Sequence, residues 1–174
     1  RTVVFTAGGV GLPPVFPIMR EHLRLGNHVT LIAGFRSADL LFWTGPDERV
    51  GLLQAEYGDR LDVIYTSNDG SFGVPGFVTG PLEEMLDANR RGEGRTVAEV
   101  VTIGPPLMMR AVSDLSRRYE VPCVASLNSI MVDAKGDRFA NESESYVDLG
   151  HHMLEHDKDG PYWLIIDGRY ARRY

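Results

Sequence analysis

The sequence predicts an α/β protein built on a doubly wound, five-stranded parallel sheet, with a small α+β appendage at its C-terminal end. Three observations support this fold class: short runs rich in Val and Ile recur along the chain, amphipathic segments separate them, and Gly or Pro marks most boundaries. Buried parallel strands form continuous apolar runs, and each parallel pair needs a crossover connection, which is usually a helix.

Five segments have the composition of buried strands, because each is short, continuous and rich in β-branched residues. They are residues 2–7, 28–35, 61–67, 97–104 and 122–127. Four segments between them have the spacing of amphipathic helices. They are residues 14–26, 52–58, 81–92 and 105–119. The first three end on Gly26, Gly58 and Gly92, as helices often do.

Amino-acid composition argues against several classes of protein. The 174 residues are 43% hydrophobic, which is enough for one sizeable core. A net charge of −6 argues against a nucleic-acid-binding surface, and no apolar run approaches the roughly 18 residues of a membrane helix. No secretory signal pattern opens the chain, and Cys123 is its single cysteine, so an iron–sulfur cluster lacks ligands. We expect a cytoplasmic protein that binds no nucleic acid, no membrane and no iron–sulfur cluster.

The segment AGGVG, residues 7–11, joins the first predicted strand to the first predicted helix. In open α/β sheets, ligands bind beyond the carboxyl ends of the strands, and a glycine turn there lets a phosphate approach backbone N–H groups. The spacing is not G-x-G-x-x-G. Two interpretations therefore stay open, namely a phosphate-binding turn and a tight strand-to-helix turn without a ligand.

Two further loops are expected at the same edge of the sheet. SNDGSFG, residues 67–73, follows the third strand, and IGPPLMM, residues 103–109, follows the fourth. Taken singly, NDG is an ordinary turn signal, and Met108 and Met109 are typical of a helix core. The convergence of three glycine-bearing loops at one edge favours a ligand site.

Four segments carry a resemblance to a known family: AGGVGLPPVFPIM, GFRSADLL, SNDGSFGVPGFVTGPLEEML and VVTIGPPLMMRAVSDLSRRYEVPCVASLNSIMVD. On these motifs, residues 1–133 resemble the NAD(P)H-binding domain of the ferredoxin-NADP reductase superfamily. Within this superfamily, the motifs resemble those of electron-transfer subunits of the dihydroorotate dehydrogenase and sulfide dehydrogenase type. The resemblance implies a Rossmann-like oxidoreductase component that passes hydride between NAD or NADP and a flavin.

The same resemblance implies which residues bind the nicotinamide dinucleotide. The residues implied to bind the pyrophosphate are Gly8, Gly9, Val10 and Gly11. The adenosine half is bordered by Arg36, Ser37, Asn68, Asp69 and Gly70. The nicotinamide side is closed by Gly104, Pro105, Pro106 and Met108. The choice between NAD and NADP stays open, because Arg36 suits either a 2′-phosphate or stacking on adenine.

The chain departs from this family at both ends. The relatives carry a flavin-binding β-barrel before this domain and a cysteine cluster after it, whereas here the chain begins at Arg1 and continues AKGDRFANES after Asp133. We therefore expect FAD to be held by another domain or a partner subunit. The same departures are typical of a fragment, a fusion or a hybrid, and a catalytically inactive nucleotide-binding domain is the alternative.

The tail, residues 129–174, resembles part of the FAD-dependent fumarate reductase and 3-ketosteroid dehydrogenase family through its G-x-R-F-x-N-E segment. This resemblance implies Tyr146 as a catalytic acid or base and makes a ketosteroid- or fumarate-type dehydrogenase a further alternative function. In the other interpretation, Arg138, Glu142 and Tyr146 are surface and packing residues of an appendage that starts at residue 134.

The histidines of HHMLEH, residues 151–156, raise the question of a metal site. His152 and His156 have the i, i+4 spacing that places two imidazoles on one helical face. No third ligand stands at a suitable spacing, so we expect a solvated amphipathic helix and no bound metal.

Overall fold

The computed structural model describes residues 1–125, 129–135, 137, 155–156 and 163–166. The chain divides into two compact units, Arg1–Ala125 and Ser126–Tyr174. The boundary predicted after Asp133 falls inside the second unit, because the strand Ser129–Val132 pairs with another strand of that unit.

The N-terminal unit alternates strands and helices as the sequence predicts. The strands are β1 (Thr2–Gly8), β2 (His28–Phe35), β3 (Leu61–Ser67), β4 (Val74–Pro75), β5 (Val97–Ile103) and β6 (Cys123–Ala125). The helices are α1 (Leu12–Arg24), α2 (Arg49–Tyr57), α3 (Thr79–Arg90) and α4 (Pro106–Arg118).

These strands form one parallel sheet in the order β4-β3-β2-β1-β5-β6. The sheet has six strands, which corrects the predicted five. The additional strand, β4, is two residues long and pairs at the edge with the end of β3. So short a strand has no apolar periodicity, and the glycines around it are typical of a turn.

Each face of the sheet carries its own apolar core, so the predicted doubly wound architecture is confirmed. Phe5 of β1 points to the face covered by α1 and α2, where Leu12, Met19 and Leu53 are buried. Its neighbour Val4 points to the opposite face, covered by α3 and α4. Successive strand residues face opposite sides, so a continuous apolar strand fills both cores.

The strand order creates a topological switch point beside β1. The chain builds β1, β2, β3 and β4 outward in one direction, then returns across the sheet to place β5 on the other side of β1. The connections after β1 and β5 therefore leave in different directions and open a crevice at their carboxyl ends, which is where open α/β sheets bind ligands.

The second unit contains an antiparallel pair, β7 (Ser129–Val132) and β8 (Trp163–Ile166). Next to β7, the Asp133 carboxylate accepts hydrogen bonds from the Lys135 and Asp137 N–H groups and lies 2.9 Å from the His156 imidazole. The bond to His156, with those to the two backbone amides, lowers the pKa of Asp133 to about 2.

Several predictions for the tail concern residues outside the described ranges. They are those for Arg138, Glu142, Tyr146, His151 and His152. In the described part of the chain, no group of three or more His, Cys, Asp or Glu side chains is placed to hold a metal ion. The helices described there include none that is both long and apolar enough to span a bilayer.

Candidate functional site

A cavity of about 840 Å³ opens at the carboxyl edge of the sheet, within the N-terminal unit. Its volume lies within the range of about 300–1,000 Å³ that is usual for small-molecule sites. Seven of the residues predicted from the sequence line it: Gly8, Gly9, Val10, Arg36, Asn68, Pro105 and Met108. All three glycine-bearing loops therefore reach one cavity, as their positions after parallel strands led us to expect.

Six predicted residues do not line the cavity: Gly11, Ser37, Asp69, Gly70, Gly104 and Pro106. Most of these residues form turns or helix starts in the loops that surround the cavity. Ser37 precedes a short 3₁₀ turn, Ala38–Leu40, and Pro106 is the first residue of α4. Gly70 occupies a left-handed turn with φ +73°.

The turn after β1 differs from a simple helix N-terminus. The 3₁₀ turn Gly9–Gly11 lies between β1 and α1, and the Leu12 N–H already bonds to the Gly9 carbonyl. Pro13 and Pro14 follow Leu12 in the first turn of α1 and have no N–H group. The backbone N–H groups that can donate to a ligand at this end of the cavity are therefore those of the 3₁₀ turn itself.

The glycines of the two central loops allow these loops to pack against each other. A Cβ at Gly8 would lie 2.6 Å from Pro105 Cδ, and one at Gly104 would lie 2.9 Å from the Gly8 backbone nitrogen. A Cβ at Gly11 would collide with the Ile103 carbonyl oxygen. Three of the predicted glycines thus keep the backbone of β1 and β5 close, which sets the shape of the cavity.

Gly9 has a different environment. Its φ is +48°, and an added Cβ would have no atom within 4 Å, so the space above it is open. Gly9 also lines the cavity. Bare backbone facing open space is what a phosphate needs to approach peptide N–H groups.

The charge of the lining favours an anionic ligand. Arg36 is the only charged side chain among the described residues that line the cavity. It is exposed, and no salt bridge joins it to another residue of the described ranges. An arginine without a carboxylate partner presents a fork of N–H donors that suits phosphate oxygens.

The predictions missed ten of the described lining residues, and this missed part of the lining is mostly apolar. It consists mainly of Leu40 and Phe42 after β2, Phe77 and Val78 before α3, and Leu107 and Ala111 in α4; Gly34, Phe35, Thr66 and Thr79 complete the set. The position of these loops at the carboxyl edge was the available signal, since ligand pockets are mostly apolar with a few polar groups.

The two methionines of the GPPLMM segment separate into different environments. Met108 lines the cavity and packs partly against the α3–α4 core, whereas Met109 is 5% exposed and belongs to the buried interior. Helical spacing places them about 100° apart, so Met109 belongs to the helix core whereas Met108 faces the cavity.

Known proteins resemble this chain over most of its length. A Thermotoga maritima homologue of the dihydroorotate dehydrogenase B (NAD(+)) electron transfer subunit is 30% identical over 134 residues, which are 77% of this chain and 42% of that protein. The corresponding subunit of Shouchella clausii is 28% identical over 164 residues, which are 94% of this chain and 55% of that protein. The chain thus spans about half the length of these relatives. No protein-family model matches the sequence.

The alignment with the Shouchella clausii subunit covers most of residues 129–174, since it includes 94% of the chain. Neither of these two relatives is a fumarate reductase or a ketosteroid dehydrogenase. The predicted resemblance of the tail to those dehydrogenases therefore receives no support.

The fold has a counterpart among solved structures. The structure of an NADH-dependent reduced ferredoxin-NADP oxidoreductase, described in connection with flavin-based electron bifurcation, superposes with a TM-score of 0.54 at 27% identity. The match covers 75% of this chain and 42% of that one. By its sheet order and these relatives, the N-terminal unit is a ferredoxin-NADP reductase-like α/β module, similar to the corresponding part of dihydroorotate dehydrogenase B electron transfer subunits.

Proposed function

We propose that the N-terminal unit binds a nicotinamide dinucleotide across the cavity at the switch point and serves hydride transfer with a flavin held by another domain or subunit. The observation that carries the proposal is the open space above Gly9, which lines a cavity where Arg36 is the one charged side chain among the described lining residues. A glycine turn with open space above it, and a guanidinium that no carboxylate of the described residues pairs with, fit a ligand that carries phosphate groups.

Different groups of lining residues would bind different parts of the dinucleotide. Backbone N–H groups of the turn Gly9–Gly11 would bind the pyrophosphate, and Arg36 and Asn68 would bind the adenosine half, since both line the cavity on the β2–β3 side. Pro105 and Met108, after β5, would position the nicotinamide. A nicotinamide cofactor supplies hydride chemistry, and the protein supplies orientation and exclusion of water.

The partner is part of the proposal. We propose a flavin-bearing domain or subunit, because the relatives named above are electron transfer subunits and the solved counterpart concerns flavin-based electron bifurcation. Cys123 is the single cysteine of the sequence, so we also propose that this chain holds no iron–sulfur cluster of its own.

Calorimetric titration of the whole chain with NADH and, separately, with NADPH tests the binding half of the proposal. We expect saturable one-to-one binding of at least one nucleotide, and the ratio of the two affinities measures the preference for a 2′-phosphate. Absence of saturable binding for both nucleotides would overturn the proposal.

Oxidation of the bound nucleotide in the presence of added FAD tests the electron-transfer half. We expect faster oxidation with the chain than with FAD and nucleotide alone, since the cavity orients the nicotinamide. Binding without any acceleration, also with a separately supplied flavoprotein subunit, would leave a binding-only domain.

A further inference from the structure

The loops that follow β2 and β3 are joined at the cavity edge by backbone hydrogen bonds. The Asn68 N–H donates to the Phe35 carbonyl at 3.0 Å, and the Asp69 N–H donates to the Arg36 carbonyl at 3.3 Å. The loop that carries Arg36 is therefore attached to the loop that carries Asp69 on one side.

A second connection holds the same loop from its other side. The Ser71 hydroxyl donates to Asp69 Oδ1 at 2.6 Å and accepts the Ala38 N–H at 2.8 Å. The Ser71 N–H also donates to Asp69 Oδ1, at 3.0 Å. A serine hydroxyl has one hydrogen and two lone pairs, so an acceptor that takes the hydrogen leaves the lone pairs for Ala38.

Asp69 is suited to orienting this hydroxyl. The hydrogen bonds from Ser71 lower the pKa of the Asp69 carboxyl, which therefore accepts hydrogen bonds as an anion at neutral pH. Asp69 does not line the cavity, whereas Arg36 does. The carboxylate thus acts on the cavity through Ser71 and the loop backbone.

We propose that Asp69 is a positioning residue: through Ser71 it holds residues 36–38 so that the Arg36 guanidinium is preorganised for a phosphate-bearing adenosine half of the dinucleotide. The proposal rests on the proposed function for its ligand. A long arginine side chain on a free loop loses conformational entropy on binding, and attachment of the loop at Arg36 and Ala38 removes part of that cost.

Substitution of Ser71 and Asp69 in the whole chain tests the proposal. Ser71→Ala and Asp69→Ala should each weaken NADH or NADPH binding about three- to tenfold, as expected for loss of a hydrogen bond that preorganises a site. Asp69→Asn should retain most of the affinity, because an amide oxygen accepts the same two hydrogen bonds. Ser113→Ala is the matched control, because it removes a serine hydroxyl of α4 that lies outside the cavity lining. This variant should bind the nucleotide as tightly as the parent chain does.

A double-mutant cycle identifies the route of the effect. If Asp69 and Ser71 act through Arg36, then Ser71→Ala should add little further loss to an Arg36→Ala chain. Additive losses would show that Ser71 acts elsewhere and would overturn the proposal. Parent-like affinity of Ser71→Ala would overturn it as well.

Hydrogen exchange of the Ala38 amide gives a measurement that needs no nucleotide. Ser71→Ala should speed this exchange while the circular dichroism of the chain stays the same. Unchanged exchange in Ser71→Ala would overturn the connection itself. If exchange is faster in Ser71→Ala but the parent chain binds neither nucleotide, the proposed function is overturned and the connection stays in place.

Discussion

Gly9 is the residue at which backbone conformation and the cavity coincide. It combines φ +48° with open space above its Cα, and it lines the cavity. Gly9→Val should reduce NADH or NADPH affinity at least tenfold in calorimetry, because the branched side chain occupies the space in which phosphate meets the turn. The left-handed conformation should also cost about 1–2 kcal/mol of folding stability.

Gly26→Val is the matched control for this substitution. Gly26 also has a left-handed φ, +84°, and an added Cβ there would have no atom within 4 Å, but it follows α1 and does not line the cavity. We expect a similar loss of thermal stability with unchanged nucleotide affinity. Equal loss of affinity in both variants would show that strain, rather than occupancy of the cavity, explains the Gly9 result.

The neighbouring glycines illustrate a limit of reading single residues. Gly8, Gly11 and Gly104 stand in the predicted motifs, yet the structure shows that a Cβ at each would meet atoms of the neighbouring loop or strand. A glycine needed for close packing and one needed for a ligand look alike in a sequence. Only the distances to neighbouring atoms distinguish them.

At the scale of elements, three helices end in the same hydrogen-bond pattern. After α1, the Gly26 N–H donates to the Leu23 carbonyl and the Asn27 N–H donates to the His22 carbonyl. The end of α3 has the same two bonds, and Gly92 takes the place of Gly26 there. After α4, the Val121 N–H donates to the Ser116 backbone carbonyl, and the Glu120 N–H donates to the Arg117 backbone carbonyl. This is the Schellman motif, which favours glycine at the left-handed position.

Glu120 occupies that position in α4 with φ +58°. Glu120→Gly should therefore stabilise the protein by about 0.5–1 kcal/mol, because it relieves the left-handed strain and removes an acidic group from a helix C-terminus. Chemical denaturation measures the change. Glu120→Gln keeps the strain and removes the charge, so a full gain in that variant would assign the effect to charge alone. Gly92→Ala, at the equivalent position of α3, should destabilise.

The helix ends were among the elements that could be predicted from the sequence. Gly26, Gly58 and Gly92 follow α1, α2 and α3 as expected, because C-terminal glycine is a local signal. The starts were less accurate: α2 begins at Arg49, before the predicted residue 52. Its first turn contains Gly51 next to the buried Val50, and a glycine inside a helical pattern is a weak helix former that sequence analysis takes for a break.

For the whole molecule, the division into two units leads to a prediction about truncation. Among the described residues, all those that line the cavity and all those in the two apolar core clusters lie within Arg1–Ala125. A chain that ends at Ala125 should therefore fold with the same sheet and bind NADH or NADPH with unchanged affinity, as measured by circular dichroism and calorimetry. Loss of folding or of affinity would show that residues 126–174 complete the core or the site.

What the sequence by itself determined is the set of local elements and their order. Five of the six strands of the parallel sheet, the four helices of the N-terminal unit and the convergence of three glycine loops at one sheet edge all follow from periodicity and from Gly and Pro signals, which act over a few residues. A two-residue strand such as β4 has no such signal. It exists because the end of β3 offers it unpaired backbone groups.

Only the tertiary structure decided which side chains meet at the cavity. Phe42 and Phe77 lie in loops far apart in the chain, and neither was predicted as a site residue, yet both line the cavity. Asp69 belongs to a predicted motif, yet it bonds to Ser71 and stays outside the lining. The physical reason is that loop residues are brought together by strand order, strand register and contacts between loops, and these depend on residues distant in sequence.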